Sequence, residues 1–85
     1  MYEYLIQEYL NKTTEEDIIN YGKKNNVIVS NKDAKVILNY AKKYYKVFLN
    51  GDPTSIFKDL KNKLEPKTYQ EVYKIYITYK LKYLK

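Results

Sequence analysis

Signals that end one helix and begin the next recur along this chain. Thr13 with Glu16 spells a capping box, in which a hydroxyl and a carboxylate each accept a backbone N–H at a helix start. Asn25-Asn26 ends the helix so begun, and Ser30 with Asp33 repeats the capping pattern. Asn50-Gly51-Asp52-Pro53 stops a third helix and starts a fourth: Gly51 suits a left-handed helix end, Asp52 an N-cap and Pro53 the first helical position. Glu65-Pro66 closes the fourth, because the residue before a proline disfavours helical geometry. A chain of 85 residues cut this way has one economical solution, helices packed along apolar stripes in a single domain.

The spacing of apolar residues agrees. Tyr2, Leu5, Ile6, Tyr9 and Leu10 share one face of a first helix over residues 2–10. The second runs to about Lys24, with Glu15, Glu16 and Asp17 in its first turn and Lys23 and Lys24 in its last, both opposing the helix dipole. Val27-Ile28-Val29 is too short for a sheet and reads as an extended connector whose side chains plug the core. The third helix, residues 31–48, is the strongest element. Ala34, Ile37, Leu38, Ala41, Tyr44, Tyr45 and Phe48 form one face; Lys32, Lys35, Asn39, Lys42, Lys43 and Lys46 form the other. The fourth turns Ile56, Phe57, Leu60 and Leu64 inward. The last, from Pro66 or Lys67 to Tyr83, presents Tyr69, Val72, Tyr73, Tyr76, Tyr79 and Tyr83 on one face and Lys67, Lys74 and Lys85 on the other. The expected fold is all-α: a compact bundle of four to five short helices in one domain over residues 1–85. The third helix is central, and the last packs across it against helices one and three.

Composition narrows function by exclusion. There is no cysteine, hence no disulfide, zinc finger or thiol nucleophile, and no histidine, the usual general base and commonest metal ligand. Asp17, Asp33, Asp52, Asp59, Glu65 and Glu71 read better as caps or surface charges than as catalytic carboxylates. No Gly-rich phosphate loop occurs. The expectation is a non-enzymatic protein with no catalytic residue, metal or cofactor. Met1-Tyr2-Glu3-Tyr4 carries an acid where a signal peptide needs positive charge, and no apolar run approaches the ~20 residues of a membrane span. These features predict a cytoplasmic protein without membrane contact, in the host cytosol if the source is a phage or virus.

Binding is what remains. Lysine, asparagine, tyrosine and isoleucine make up 44 of the 85 residues, the mark of an AT-rich genome, so much of the basic charge is explained by codon usage. Its distribution is not. Residues 1–22 hold one lysine and five acids, net −4, whereas residues 23–85 hold fifteen lysines and five acids, net +10. The stripe Lys32, Lys35, Asn39, Lys42, Lys43 and Lys46 is therefore the candidate nucleic-acid surface, and the competing reading is a solvated helix face. With no arginine, contacts would be to the backbone rather than to base identity. The tyrosine face of the last helix reads first as core, with base stacking or a partner surface as the other uses. Tyr79 and Tyr83, near the helix end, are the candidate recognition residues for a partner or a second copy in a homodimer. The alternative function is a protein-interaction module: an adaptor, a complex subunit, or a phage- or virus-type inhibitor of a host protein.

The succession Thr13 to Tyr21 (TTEEDIINY), then Val27 to Lys35 (VIVSNKDAK), then the Tyr40-Ala-Lys-Lys helix end resembles the YqfT-like proteins, a small family of Bacillota known as a domain of unknown function. The resemblance covers roughly residues 10 to 80 and implies an all-helical fold with no known activity. Where that family has a basic-Gly segment before helix four, this chain has Asn50-Gly51-Asp52-Pro53. A looser similarity is to helix-extended-helix modules such as SAP, LEM and Rho N-terminal domains, several of which bind nucleic acid.

Overall fold

Two successive threonines decide where the first helix ends and the second begins. The computed structural model describes residues 2–83, the side chains of Tyr2, Tyr79, Lys82 and Tyr83 excepted. In it, Thr13 belongs to the end of α1 (Tyr2–Lys12), its hydroxyl donating to the Tyr9 carbonyl at 2.8 Å. Thr14 caps α2 (Glu15–Lys24) instead: its Oγ1 accepts the Asp17 N–H at 3.2 Å, and the Asp17 carboxylate accepts the Thr14 N–H at 2.9 Å. The sequence contains two overlapping boxes, and the expected one, Thr13 with Glu16, loses because Thr13 is already committed to the preceding turn.

The left-handed residue is likewise displaced from its expected place. Gly51 is extended, with φ −114° and ψ −160°, and among the described residues the one non-glycine at positive φ is Asn26, at 62°. Asn26 ends α2 in a Schellman arrangement: its N–H reaches the Lys23 carbonyl at 3.1 Å, and the Val27 N–H reaches the Gly22 carbonyl at 2.8 Å. This turn folds the connector back over Gly22. A Cβ on Gly22 would stand 2.6 Å from Val29 Cγ2 and 2.9 Å from the Val27 carbonyl oxygen, so only glycine lets α2 lie this close to its own connector. Val29 is thereby buried and Val27 half-buried. Ile28, expected to plug the core with them, is 89% exposed, because alternate side chains of an extended segment point to opposite sides.

Ser30 caps α3 (Asn31–Asn50) as expected, accepting the Asp33 N–H at 3.1 Å; the helix runs two residues beyond the expected Phe48. α4 (Thr54–Lys63) begins one residue late, with Pro53 at the N-cap and the Asp52 carboxylate accepting the Thr54 N–H at 3.1 Å. α5 (Pro66–Tyr83) starts at the proline that ended α4. Five helices and no strand occur among the described residues, the all-α bundle that the caps and apolar spacing led one to expect.

α3 is central, packing against α1 and α2. The core is centred on α4: Phe57, Leu60 and Leu64 are buried, surrounded by Ile37, Tyr40 and Phe48 of α3 and by Tyr69, Val72 and Tyr76 of α5. α5 thus packs chiefly on α4, while its Tyr76 meets Phe48 of the expected partner α3 with ring centres 5.8 Å apart. Tyr73, expected in the core, is 43% exposed, although its ring still meets Phe57 edge-on at 5.1 Å. α1 turns Ile6 and Leu10 inward and leaves Leu5 and Tyr9 of its expected apolar face in solvent.

Two polar contacts tie α3 to the C-terminal half of the chain. Asp33 is 2% exposed, and its Oδ2 accepts the Glu65 N–H at 3.0 Å, immediately before α5. The sequence pattern placed that carboxylate at its own helix start; instead it caps a helix 32 residues away. Farther along, the Tyr40 hydroxyl donates to the Asp59 carboxylate of α4.

Candidate functional site

Every exposed residue of α3 is lysine or asparagine: Asn31, Lys32, Lys35, Asn39, Lys42, Lys43, Lys46 and Asn50. The helix holds one acid, Asp33, and the fold buries it. All six stripe residues expected from periodicity are thus brought to one open face, and no carboxylate of α3 lies among them. From Lys32 to Lys46 the face is about 21 Å long at 1.5 Å per residue. Lys32 and Lys35, Lys42 and Lys46, and Lys43 and Lys46 are helical neighbours of like charge, an arrangement that costs rather than stabilises. Lys43 has a local partner, its Nζ lying 5.2 Å from the centre of the Tyr44 ring.

A second basic surface was not singled out from sequence. Between α4 and α5 runs a groove of about 410 Å³ whose lining includes Lys58, Lys61 and Lys80 together with Tyr69, Tyr73 and Tyr76. Tyr69 and Tyr73 lie nearly parallel, their centres 6.1 Å apart and planes inclined by 20°, and both meet the buried Phe57 edge-on. The signal was present: Lys58 and Lys61 are three residues apart on α4, and Tyr69, Tyr73 and Tyr76 follow i, i+4, i+7 on α5. What local spacing lacks is the pairing of those two helices. Tyr79 and Tyr83, the candidate recognition residues, have side chains outside the described residues.

Two carboxylates near these surfaces have settled partners. The Asp52 carboxyl is held below its ordinary value by its hydrogen bonds from the Thr54 hydroxyl and N–H, with a further contribution from Lys80. The Tyr40 hydroxyl is pushed up to about 12 by its bond to Asp59, by partial desolvation and by the Asp59 charge. Because the folded value lies above the ordinary 10.0, the bond's stabilisation is complete below pH 10 and is lost as pH rises through about 12. In urea titrations, wild type is expected to lose more stability than Tyr40→Phe between about pH 9 and 11.5; equal losses would mean that the hydroxyl does not bond Asp59 in solution.

The third surface is apolar. Between α1, α2 and α5 lies a hollow of about 240 Å³ lined by Tyr9, Ile18, Tyr21, Val29 and Val72 among others, with Asp17 and Glu71 in its wall. Among the described residues no group of three or more potential metal ligands occurs, and no helix is long and apolar enough to cross a membrane.

No curated protein and no solved structure matches the chain. The family model described as "Protein of unknown function (DUF2624)" matches residues 1–80, nearly the whole length that the five helices span, and the chain belongs to that family.

Proposed function

We propose that this protein is a non-catalytic nucleic-acid-binding protein that tracks the phosphate backbone through Lys32, Lys35, Lys42, Lys43 and Lys46 of α3, with Asn39 between them. The observation that carries the reading is the uniform sign of that face. A merely solvated helix mixes acids with lysines, because each opposite pair three or four residues apart adds about 0.2–0.5 kcal/mol and each like pair costs about as much. An AT-rich genome supplies lysine but does not exclude glutamate, which α1 and α2 carry freely. The repulsion along α3 is relieved by a polyanion. At one phosphate per 3.4 Å of strand, the face spans about six phosphates. The α4–α5 groove adds Lys58 and Lys61, and its exposed Tyr73 ring offers a surface on which an unpaired base can stack. Lysine point charges give affinity without base discrimination, so the protein reads backbone rather than sequence. We also place the chain with the YqfT-like proteins of Bacillota, on its TTEEDIINY opening and its VIVSNKDAK segment.

The test is fluorescence anisotropy on labelled DNA and RNA over a salt series. Wild type is expected to bind in low salt and to weaken steeply towards ~0.2 M. Changing Lys35, Lys42 and Lys43 together to glutamine should weaken binding to every sequence about equally and reduce the slope of log affinity against log salt by about three. Stability should shift by no more than ~0.5 kcal/mol per site, since all three side chains are exposed. No binding by wild type at low salt would eliminate the proposal. The reading as a protein-interaction module would then stand, favoured by the exposed apolar residues of α1.

A further inference from the structure

The nucleic-acid reading leaves one end of the molecule without a role. α1 and α2 carry the acidic part of the chain, net −4 over residues 1–22, and a polyanion would be repelled there. Yet this end holds large apolar side chains in solvent: Tyr4, Leu5 and Tyr9 on α1, the last 72% exposed, and Tyr21 on α2. Tyr9 and Tyr21 both border the hollow whose lining also includes Ile18, Val29 and Val72. Exposed apolar groups gathered around a concavity mark a surface that something covers.

The chain itself contains the complementary element. From Val72 to Lys85 there is no acid, and Lys74, Lys80, Lys82 and Lys85 give this stretch a charge of +4 against the −4 of the opposite end. On the same stretch Leu81 is 66% exposed, one helical turn beyond the half-buried Ile77, with Lys74 and Lys80 exposed beside them. Tyr9 and Leu81 are both uncovered in one and the same chain, so the fold does not bring them together within a copy. A second copy can.

We propose that the acidic, apolar α1–α2 face of one copy receives the basic end of α5 from a second copy. Leu81 and Ile77 enter the hollow bordered by Tyr9 and Tyr21, and Lys74 and Lys80 lie towards the acids of the first two helices, which include Asp17 in the hollow wall. Two-fold symmetry makes the contact twice and closes the pair, so each copy gives one α5 and receives one. The acidic faces are consumed at the interface and the α3 stripes of both copies stay free. The contact does not depend on nucleic acid, and its test is separate from that of nucleic-acid binding.

The experiment is analytical ultracentrifugation of the full, nuclease-treated chain. Wild type is expected to sediment at twice the 10.3 kDa chain mass, dissociating between ~0.05 and ~0.5 M salt because opposite charges hold the contact. Tyr9→Lys and Leu81→Glu alter exposed side chains and should keep the wild-type circular dichroism. Each alone should raise the dimer dissociation constant about tenfold or more. Mixed in equal amounts, the two variants should associate better than either does alone, because the pair retains one intact contact between a wild-type α1–α2 face and a wild-type α5. A wild type that stays monomeric at high concentration in low salt overturns the proposal. A dimer weakened by Tyr9→Lys but untouched by Leu81→Glu overturns the assignment of α5 as occupant and points to contact between two α1–α2 faces.

Discussion

Phe57→Ala is expected to lower the free energy of unfolding by about 4 kcal/mol, within the range for removing a large buried aromatic ring. Phe57 is the point at which three helices meet. Its ring centre lies 5.4 Å from Phe48 of α3 and 6.4, 5.1 and 5.0 Å from Tyr69, Tyr73 and Tyr76 of α5. Truncation removes the apolar area of the ring and strands four aromatic partners whose edge-on or tilted geometry depends on it. The half-buried tyrosines around it cannot close the gap without giving up their hydroxyls' access to water. Since a domain of this size has about 4–13 kcal/mol in total, the substitution removes from about a third to nearly all of the stability. Phe57→Leu fills most of the space and should cost about 1–2 kcal/mol. Urea unfolding followed by circular dichroism measures both. A shift below ~1 kcal/mol for Phe57→Ala would show that α4 is not the centre of the core.

Asp33→Ala is expected to cost about 3 kcal/mol. The substitution removes the acceptor of the Glu65 N–H and the negative group facing the N-terminal end of α5; a hydrogen bond to a carboxylate contributes about 1.5–3 kcal/mol and a favourable dipole contact about 0.3–1 kcal/mol. It also opens a void at one of the most deeply buried positions of the chain. Asp33→Asn keeps an oxygen acceptor of the same shape and should cost about half as much. A further contrast separates this role from ordinary capping: Ser30→Ala removes only the local cap of α3 and should cost about 1 kcal/mol. If Asp33→Ala costs no more than Ser30→Ala, the contact to Glu65 contributes nothing in solution.

These two residues also mark where the sequence stopped being informative. Caps, breakers and the 3.6-residue period are local, and from them the five helices, their order and most of their boundaries could be read. The stripe on α3 was legible for the same reason, since one face of a long helix must be inward and the other was uniformly Lys and Asn. Errors by one residue, Thr14 for Thr13 and Thr54 for Pro53, came from neighbouring residues able to make the same bond. Asp33 could not be read at all. Its spacing from Ser30 matched a local cap, and nothing within the chain around it announces Glu65. The α4–α5 groove and the exposed half of α1 were hidden for a related reason. Period gives each helix an apolar face, but which helix it meets, and how much of that face the meeting covers, depends on partners remote in sequence.

The light burial of α1 has a consequence for motion. Among its described residues none is fully buried; Glu3, Ile6 and Leu10 are half-covered, and α1 packs on α3 without entering the cluster around Phe57. The α3–α4–α5 unit, by contrast, is pinned at Asp33 to Glu65 and at Tyr40 to Asp59. Opening α1 alone therefore sacrifices a small part of the total stability, and its amide hydrogens should exchange with solvent by local detachment long before those of α4 exchange by global unfolding. The bundle has a fixed body and one arm that lets go first.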